Sequence, residues 1–248
     1  MMSFLRVNRS EVLPVFAHSV LDVFIPGEII EQNNSTLIST SSGIFVVSGE
    51  PNIAFLNHTI LPIYENKKQK NERFTLFSTS KEWDELLLNK ATNEFKQYKR
   101  YSYFFNKHRY SSLVLKDLTA GFELRRFNES TIIKSHEFNE AYIKQYWGSV
   151  TRFLQHGFGY SITYKNKIVS ECISIFASEN YAEIDVATSS NFSGMGLASH
   201  VSAAFIKHCL EHDKVPRWDC DIHNVGSINL AQKLGFENPR MYSIFVKR

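Results

Sequence analysis

Ionisable residues gather in two short apolar stretches near the end of the chain, with a pair of glycines between them. In "NYAEIDVAT" (180–188) Glu183 and Asp185 share one face of a strand, and Ile184 and Val186 the other. In "RWDCDIH" (217–223) Asp219, Asp221 and His223 share one face of a second strand. Carboxylates on central strands are candidates for a general base, because burial and like charges tune their affinity for a proton. Glu183 and Asp219 are the candidates; either could instead be paired with a Lys, an Arg or a helix amide for structure alone. Between the strands lies "NFSGMGLASH" (191–200). Free amides at a helix N-terminus form an anion site, and Gly194 and Gly196 would let a phosphate approach the backbone. A tight turn could use the same glycines for geometry alone. No Walker GK[ST] follows, and the third glycine of a dinucleotide fingerprint is missing, so nucleotide phosphotransfer is excluded.

The flanking elements read as supports for this turn. Leu197, Val201, Ala204, Phe205 and Cys209 form one apolar stripe on the helix that the glycines open. From Gly121 onward the pattern predicts a strand ("FELRRF"), two helices closed by Gly157, and a hairpin turning at residues 165–167. The strand–glycines–helix unit follows, then "RWDCDI", a short helix and a closing strand. The first half predicts a helix over 8–24 and strands over 43–48, 52–60 and 73–78. A helix capped by Ser80 or Thr79 follows, burying Trp83, Leu86, Leu87 and Leu88. Residues 99–107 and 111–118 are ambiguous, and no internal repeat is visible.

Bulk properties narrow the partners. A net charge of +3, with no basic block longer than "ENKKQKNER", argues against nucleic acid. Three widely spaced cysteines without a CxxC argue against a metal site or a disulfide framework and for a reducing, cytoplasmic setting. The charged residues Arg6, Arg9, Glu11 and Asp22 interrupt the N-terminal apolar run, so neither a signal peptide nor a membrane segment is expected.

Taken together, residues 121–248 resemble the GNAT superfamily of N-acetyltransferases. The family pattern Q/R-x-x-G-x-G/A stands here as Asn191-Phe192-Ser193-Gly194-Met195-Gly196. About 30 residues on come Asn224, Ser227 and "LAQKLGF" (230–236), in the family's order of elements. Within the superfamily, "FLQHGFGY", "IVSECISIF", "GLA" and "WDC" resemble the branch containing the zwittermicin A resistance acetyltransferase. The resemblance implies an α+β fold on a mixed sheet: a GNAT-like domain over 121–248, preceded by a smaller α+β domain over 1–120. It implies acetyl-CoA as co-substrate and a small-molecule amine as acceptor, an antibiotic or a metabolite; oligomeric state, a homodimer included, stays open. Gly194, Met195, Gly196, Leu197 and Ala198 would hold the pyrophosphate, with Asn191 beside them. Val186, Ala187 and Thr188 would pair with the pantetheine arm, and Asn224 and Ser227 would lie near its end. Three positions depart from the family. Asn191 stands at the usual Gln or Arg position, Ser193 replaces a frequent arginine, and Ala231 stands where many members keep a tyrosine that protonates the thiolate. A catalytically weak acyl-CoA-binding or interaction module is therefore the alternative reading.

Overall fold

The computed structural model describes residues 13–91 and 93–248, so the part of the expected 8–24 helix before Leu13 lies outside the described residues. The first half runs α1 (Val15–Leu21), β1 (Gly27–Gln32), β2 (Ser35–Thr40), β3 (Ile44–Gly49), α2 (Ile53–Phe55), α3 (Leu61–Gln69), β4 (Thr75–Ser78), α4 (Lys81–Lys90), β5 (Phe95–Phe105) and α5 (Lys107–Ser111). The second half opens with β6 (Phe122–Arg126), α6 (Glu129–Lys134), α7 (Glu140–Trp147) and α8 (Val150–His156). It continues with β7 (Gly159–Tyr164), β8 (Lys167–Ala177), β9 (Tyr181–Thr188), α9 (Leu197–Glu211), β10 (Val215–Asp221), α10 (Val225–Lys233) and β11 (Phe236–Lys247).

All eleven strands join in one sheet of order β1-β2-β3-β4-β11-β5-β10-β9-β8-β7-β6. Leaving β6 aside, this order is palindromic about the β11–β5 pair. In each half a three-strand antiparallel meander leads through a helix to a parallel fourth strand (β3 with β4, β9 with β10). A second helix then leads to a long strand that crosses into the other half: β5 pairs with β10, and β11 with β4. The chain is thus built on an internal structural repeat with exchanged strands, which corrects the expectation of none. The expected boundary near residue 120 does not part the sheet, because β5 lies between two strands of the second half.

Local chemistry explains the repeated turns. Asn33-Asn34 (φ 50° and 63°) joins β1 to β2, and Lys165-Asn166 (φ 48° and 61°) joins β7 to β8. Two successive positive φ angles match the right-handed twist of a hairpin, and Asn tolerates them well. Residues 52–60, expected as a strand, are helical instead. Asn52 Oδ1 accepts from the amides of Ala54 and Phe55 (2.8 and 3.1 Å), and this cap starts a helix that passes through a π turn (Leu56–Ile60) into α3. Ser80 caps α4 as expected; Trp83 and Leu87 are buried, while Leu88 is exposed.

One large core spans both halves, and a second, around Trp83, Tyr64 and Phe95, is built from the first half together with Phe245 of β11. Helix α1 packs against β2 of the first half and β8 of the second. Its Phe16 ring stands 5.1 Å from Phe77 and 5.8 Å from Phe176, joining the halves face to face. Arg73 Nη1 adds a hydrogen bond to the Tyr146 hydroxyl at 3.0 Å.

Candidate active site

Strands β9 and β10 pair only from Tyr181↔Val215 to Glu183↔Arg217 and then part. Beyond that point β9 keeps β8 on one side and β10 keeps β5, so a cleft opens between their facing edges. Val186, Ala187 and Thr188 form the free edge of β9.

At the mouth of the cleft, Gly194 and Gly196 adopt φ of 78° and 79°, which other residues reach only with strain. A Cβ built on either would meet nothing within 4 Å, so the cradle is open to a ligand. Gly196 caps α9 without any side chain, and the first amide of the turn to find an acceptor is that of Ser199, on the Gly196 carbonyl at 3.0 Å. Among the described residues, the amides from Gly194 to Ala198 donate to no protein group. Leu197, Val201, Phe205 and Cys209 bury the helix stripe and fix the cradle against the sheet. Ser193 and Asn191 are exposed and bring no cation. Lys233, at the end of α10, does: its Nζ donates to Ser199 Oγ at 2.9 Å, beside the first turn of α9. Asn224 caps α10 by accepting from the Ser227 amide at 3.0 Å, and Ser227 Oγ accepts from Trp218 Nε1 at 3.0 Å. Both therefore shape the α10 side of the cleft. Ala231 is fully buried and offers no hydroxyl.

The opposite face of the sheet carries the acids. Glu183, Asp185, Arg217, Asp219, Arg100, Ser102 and Tyr242 lie on neighbouring strands there, by alternation and by the pairs Arg217↔Glu183, Asp219↔Ser102 and Tyr242↔Arg100. Glu183 and Asp219 keep part of their surface open, yet protein packs round them so closely that lost hydration dominates their titration. Burial first, and then the charge of Asp219, hold the Glu183 carboxyl well above the usual range, against the pull of Arg100. Burial also raises Asp219, opposed by Arg100 and the Ser102 hydroxyl. Asp185 is raised by burial and steadied by a hydrogen bond from the Tyr142 hydroxyl. Arg100 Nε donates to Tyr242 Oη at 3.1 Å, and burial with the nearby Asp219 keeps that phenol protonated. Arg217 is buried and lays its guanidinium 4.6 Å from the Tyr181 ring centre.

A cavity of about 540 Å³ opens on this face where the two halves meet. Asp219, Arg217 and Tyr242 of the second half line it together with Phe77, Ser102 and Phe104 of the first. Glu183 stands behind Asp219 and does not line it. Sequence reasoning named the two acids on separate strands but missed Arg100, Tyr242 and the aromatic wall, which arrive on strands distant in the chain. His223 is exposed and its amide bonds to Asp221, turning the chain toward α10. Trp147 is a core residue donating to the Ser174 carbonyl, and Cys220 is buried. Among the described residues no cluster of His, Cys, Asp or Glu could hold a metal ion, and no helix is long and apolar enough to cross a membrane.

A family model described as GNAT acetyltransferase matches residues 11–245, both halves included. The chain belongs to this family of N-acetyltransferases. It is 38% identical over 236 residues to the uncharacterized N-acetyltransferase YdfB of Bacillus subtilis, covering 94% of this chain and 90% of that one. A GCN5-related N-acetyltransferase-like protein from Streptococcus suis superposes with a TM-score of 0.69 at 25% identity, covering 90% of this chain and 88% of the other. A tandem GNAT protein from the clavulanic acid biosynthesis pathway shares the fold with a TM-score of 0.61 at 10% identity, over 88% and 81% of the two chains.

Proposed function

We propose that the protein transfers an acetyl group from acetyl-CoA to the primary amine of a small molecule. The observation that carries this reading is the open amide cradle of Gly194–Ala198 beside the β9–β10 cleft, together with a cavity that Asp219 of β10 helps to line. The amides and the positive end of α9 would hold the pyrophosphate. Lys233 would supply the cation that Ser193 does not, and the free edge of Val186–Thr188 would pair with the pantetheine arm. When bound, acetyl-CoA supplies an activated thioester carbonyl.

The chain's residues supply the rest. The amine enters through the cavity and meets Asp219. As the C–N bond forms and the C–S bond breaks, the amine proton passes to the Asp219–Glu183 pair, whose raised affinity suits a base working near neutrality. The thiolate leaves without a tyrosine at position 231. A free thiol titrates near about 8.5, so solvent suffices as its proton source.

Calorimetric titration with acetyl-CoA, with ATP as a control, tests the cradle; release of free CoA thiol in the presence of amines tests turnover. Binding near one equivalent with ATP weak is expected. No binding at millimolar acetyl-CoA would remove the assignment, and binding without thiol release for any amine would leave a cofactor-binding module.

A further inference from the structure

The cavity beside Asp219 has two unlike ends. At the inner end Asp219 stands against buried Arg217, with Arg100 and Glu183 behind. At the outer end the lining carries Lys81, Lys99 and Arg240. The only carboxylate there among the described residues, Asp84, is engaged through one oxygen: Lys99 Nζ lies 3.1 Å from its Oδ2, and Gln97 and Ser243 donate to the same oxygen, while Oδ1 is buried and makes no hydrogen bond. Lys81 and Arg240 are loosely engaged. Lys81 is 85% exposed with Glu85 at 3.6 Å, and among the described residues Arg240 Nη2 reaches only the Thr79 carbonyl at 3.5 Å. Four cations thus face two carboxylates around the cavity. Between the ends the wall is apolar: Phe77 stacks on Tyr242 at 5.6 Å, and Phe104 and Met241 leave 40% and 56% of their surface uncovered.

Resting on the acetyl-transfer reading above, we infer that the acceptor is an amphoteric amine. Its amino group meets Asp219, its apolar body lies along Phe77 and Phe104, and an anionic oxyacid group, carboxylate or phosphate, is held by Arg240 and Lys81. A polycationic amine fits the same cavity poorly. Every further positive charge would sit among Lys81, Lys99 and Arg240, where the one lining carboxylate among the described residues, Asp84, already shares its Oδ2 with Lys99, Gln97 and Ser243. The aromatic wall adds a second selection, for an apolar body long enough to join the two ends. The balance of the reaction is unaltered: the acetyl carbon moves from sulfur to nitrogen, the amine proton goes to the acid pair, and the anionic group takes no part.

The test compares matched amines on the unaltered chain with saturating acetyl-CoA, read by thiol release and by the mass of the product. Phenylalanine is set against 2-phenylethylamine, and O-phosphotyramine against tyramine; spermidine and kanamycin serve as polycations. In at least one pair the anionic member should be used with kcat/KM higher by about tenfold or more, as a charge-assisted hydrogen bond implies. The double variant Lys81→Glu, Arg240→Glu changes exposed side chains outside both cores. It should lower kcat/KM for the anionic member about tenfold and raise it for its plain partner, with KM carrying the change. Three results overturn the inference: equal or better use of the plain amines or of spermidine, a preference that survives the double variant, or no acetylation of any anionic amine while calorimetry shows acetyl-CoA bound. Failure to bind acetyl-CoA at all instead overturns the underlying reading.

Discussion

The two halves follow the same path and differ at one crossover. After β9 the chain turns through Gly194 and Gly196 and leaves its amides free; after β3 it turns through Gly49 and plugs them. A Cβ on Gly49 would meet the Asn34 carbonyl at 2.0 Å, whereas one on Gly194 meets nothing. Asn52 then fills the start of α2 with its own side chain, while Gly196 brings none to α9. Beyond the crossovers, β3 and β4 stay paired along the whole of β4, whereas β9 and β10 part after Glu183↔Arg217. The open turn lies in the second half, while the first half contributes Phe77, Ser102 and Phe104 to the wall of the cavity beside Asp219.

Substitutions can break that contrast, and Gly194→Glu should do so most strongly. A side chain at φ 78° and a negative charge in the amide cradle should raise the Kd for acetyl-CoA beyond measurement, with the circular dichroism of the fold kept. Unchanged affinity would falsify the assignment of the cradle. Next in size, Asp219→Asn should cut kcat by about a hundred- to a thousandfold while acetyl-CoA affinity holds, since a positioned base contributes on that scale. Lys233→Ala should weaken acetyl-CoA binding by about tenfold or less at low salt, with the loss fading as salt rises, because the ammonium is exposed. Asn52→Ala should cost about 1 kcal/mol of stability through the lost cap and leave acetyl-CoA affinity untouched. If Asn52→Ala instead altered cofactor affinity, the two crossovers would not be independent.

The smallest effect concerns pH. Glu183 has a raised carboxyl in the folded chain. Between its ordinary value and that raised one, the native state holds a proton that the unfolded chain has lost, so stability falls as pH climbs through the window. Glu183→Gln removes this slope. Its melting temperature should exceed that of the unaltered chain at pH 8, and the two should converge toward pH 4. A parallel offset at both pH values would mean that Glu183 is not titrating in the fold.

The legible parts of the molecule are those whose signals are local. The strand, the glycines and the helix stripe from Glu183 to Cys209 are written within 30 residues, and the structure forms them as expected. The strand expected over 52–60 failed because an apolar run is ambiguous by itself, and a single cap at Asn52 decided for helix. The hairpin of β1 and β2 was missed although Asn33-Asn34 is a usable turn signal. The repeat was invisible because the halves share geometry without residues, an open Gly-Met-Gly answering to a plugged Gly49-Glu50-Pro51-Asn52. Arg100 and Tyr242 could not be joined to Asp219 in advance, since antiparallel partners about 140 residues apart leave no spacing to read.

The exchange of β5 and β11 also bears on how the chain reaches its fold. Each half borrows its last central strand from the other, so neither sheet is complete until both have been made. The pairs that close the molecule, from Phe236↔Phe105 to Lys247↔Phe95, join the last strand of the chain to one near its middle. Such non-local contacts come at a high cost in chain entropy before they are rewarded, so folding should be slow and unfolding should come in one step. A truncated first half would expose the edges of β4 and β5 and associate through them. Neither half could be parted from the other and stay whole, because each holds a strand the other needs.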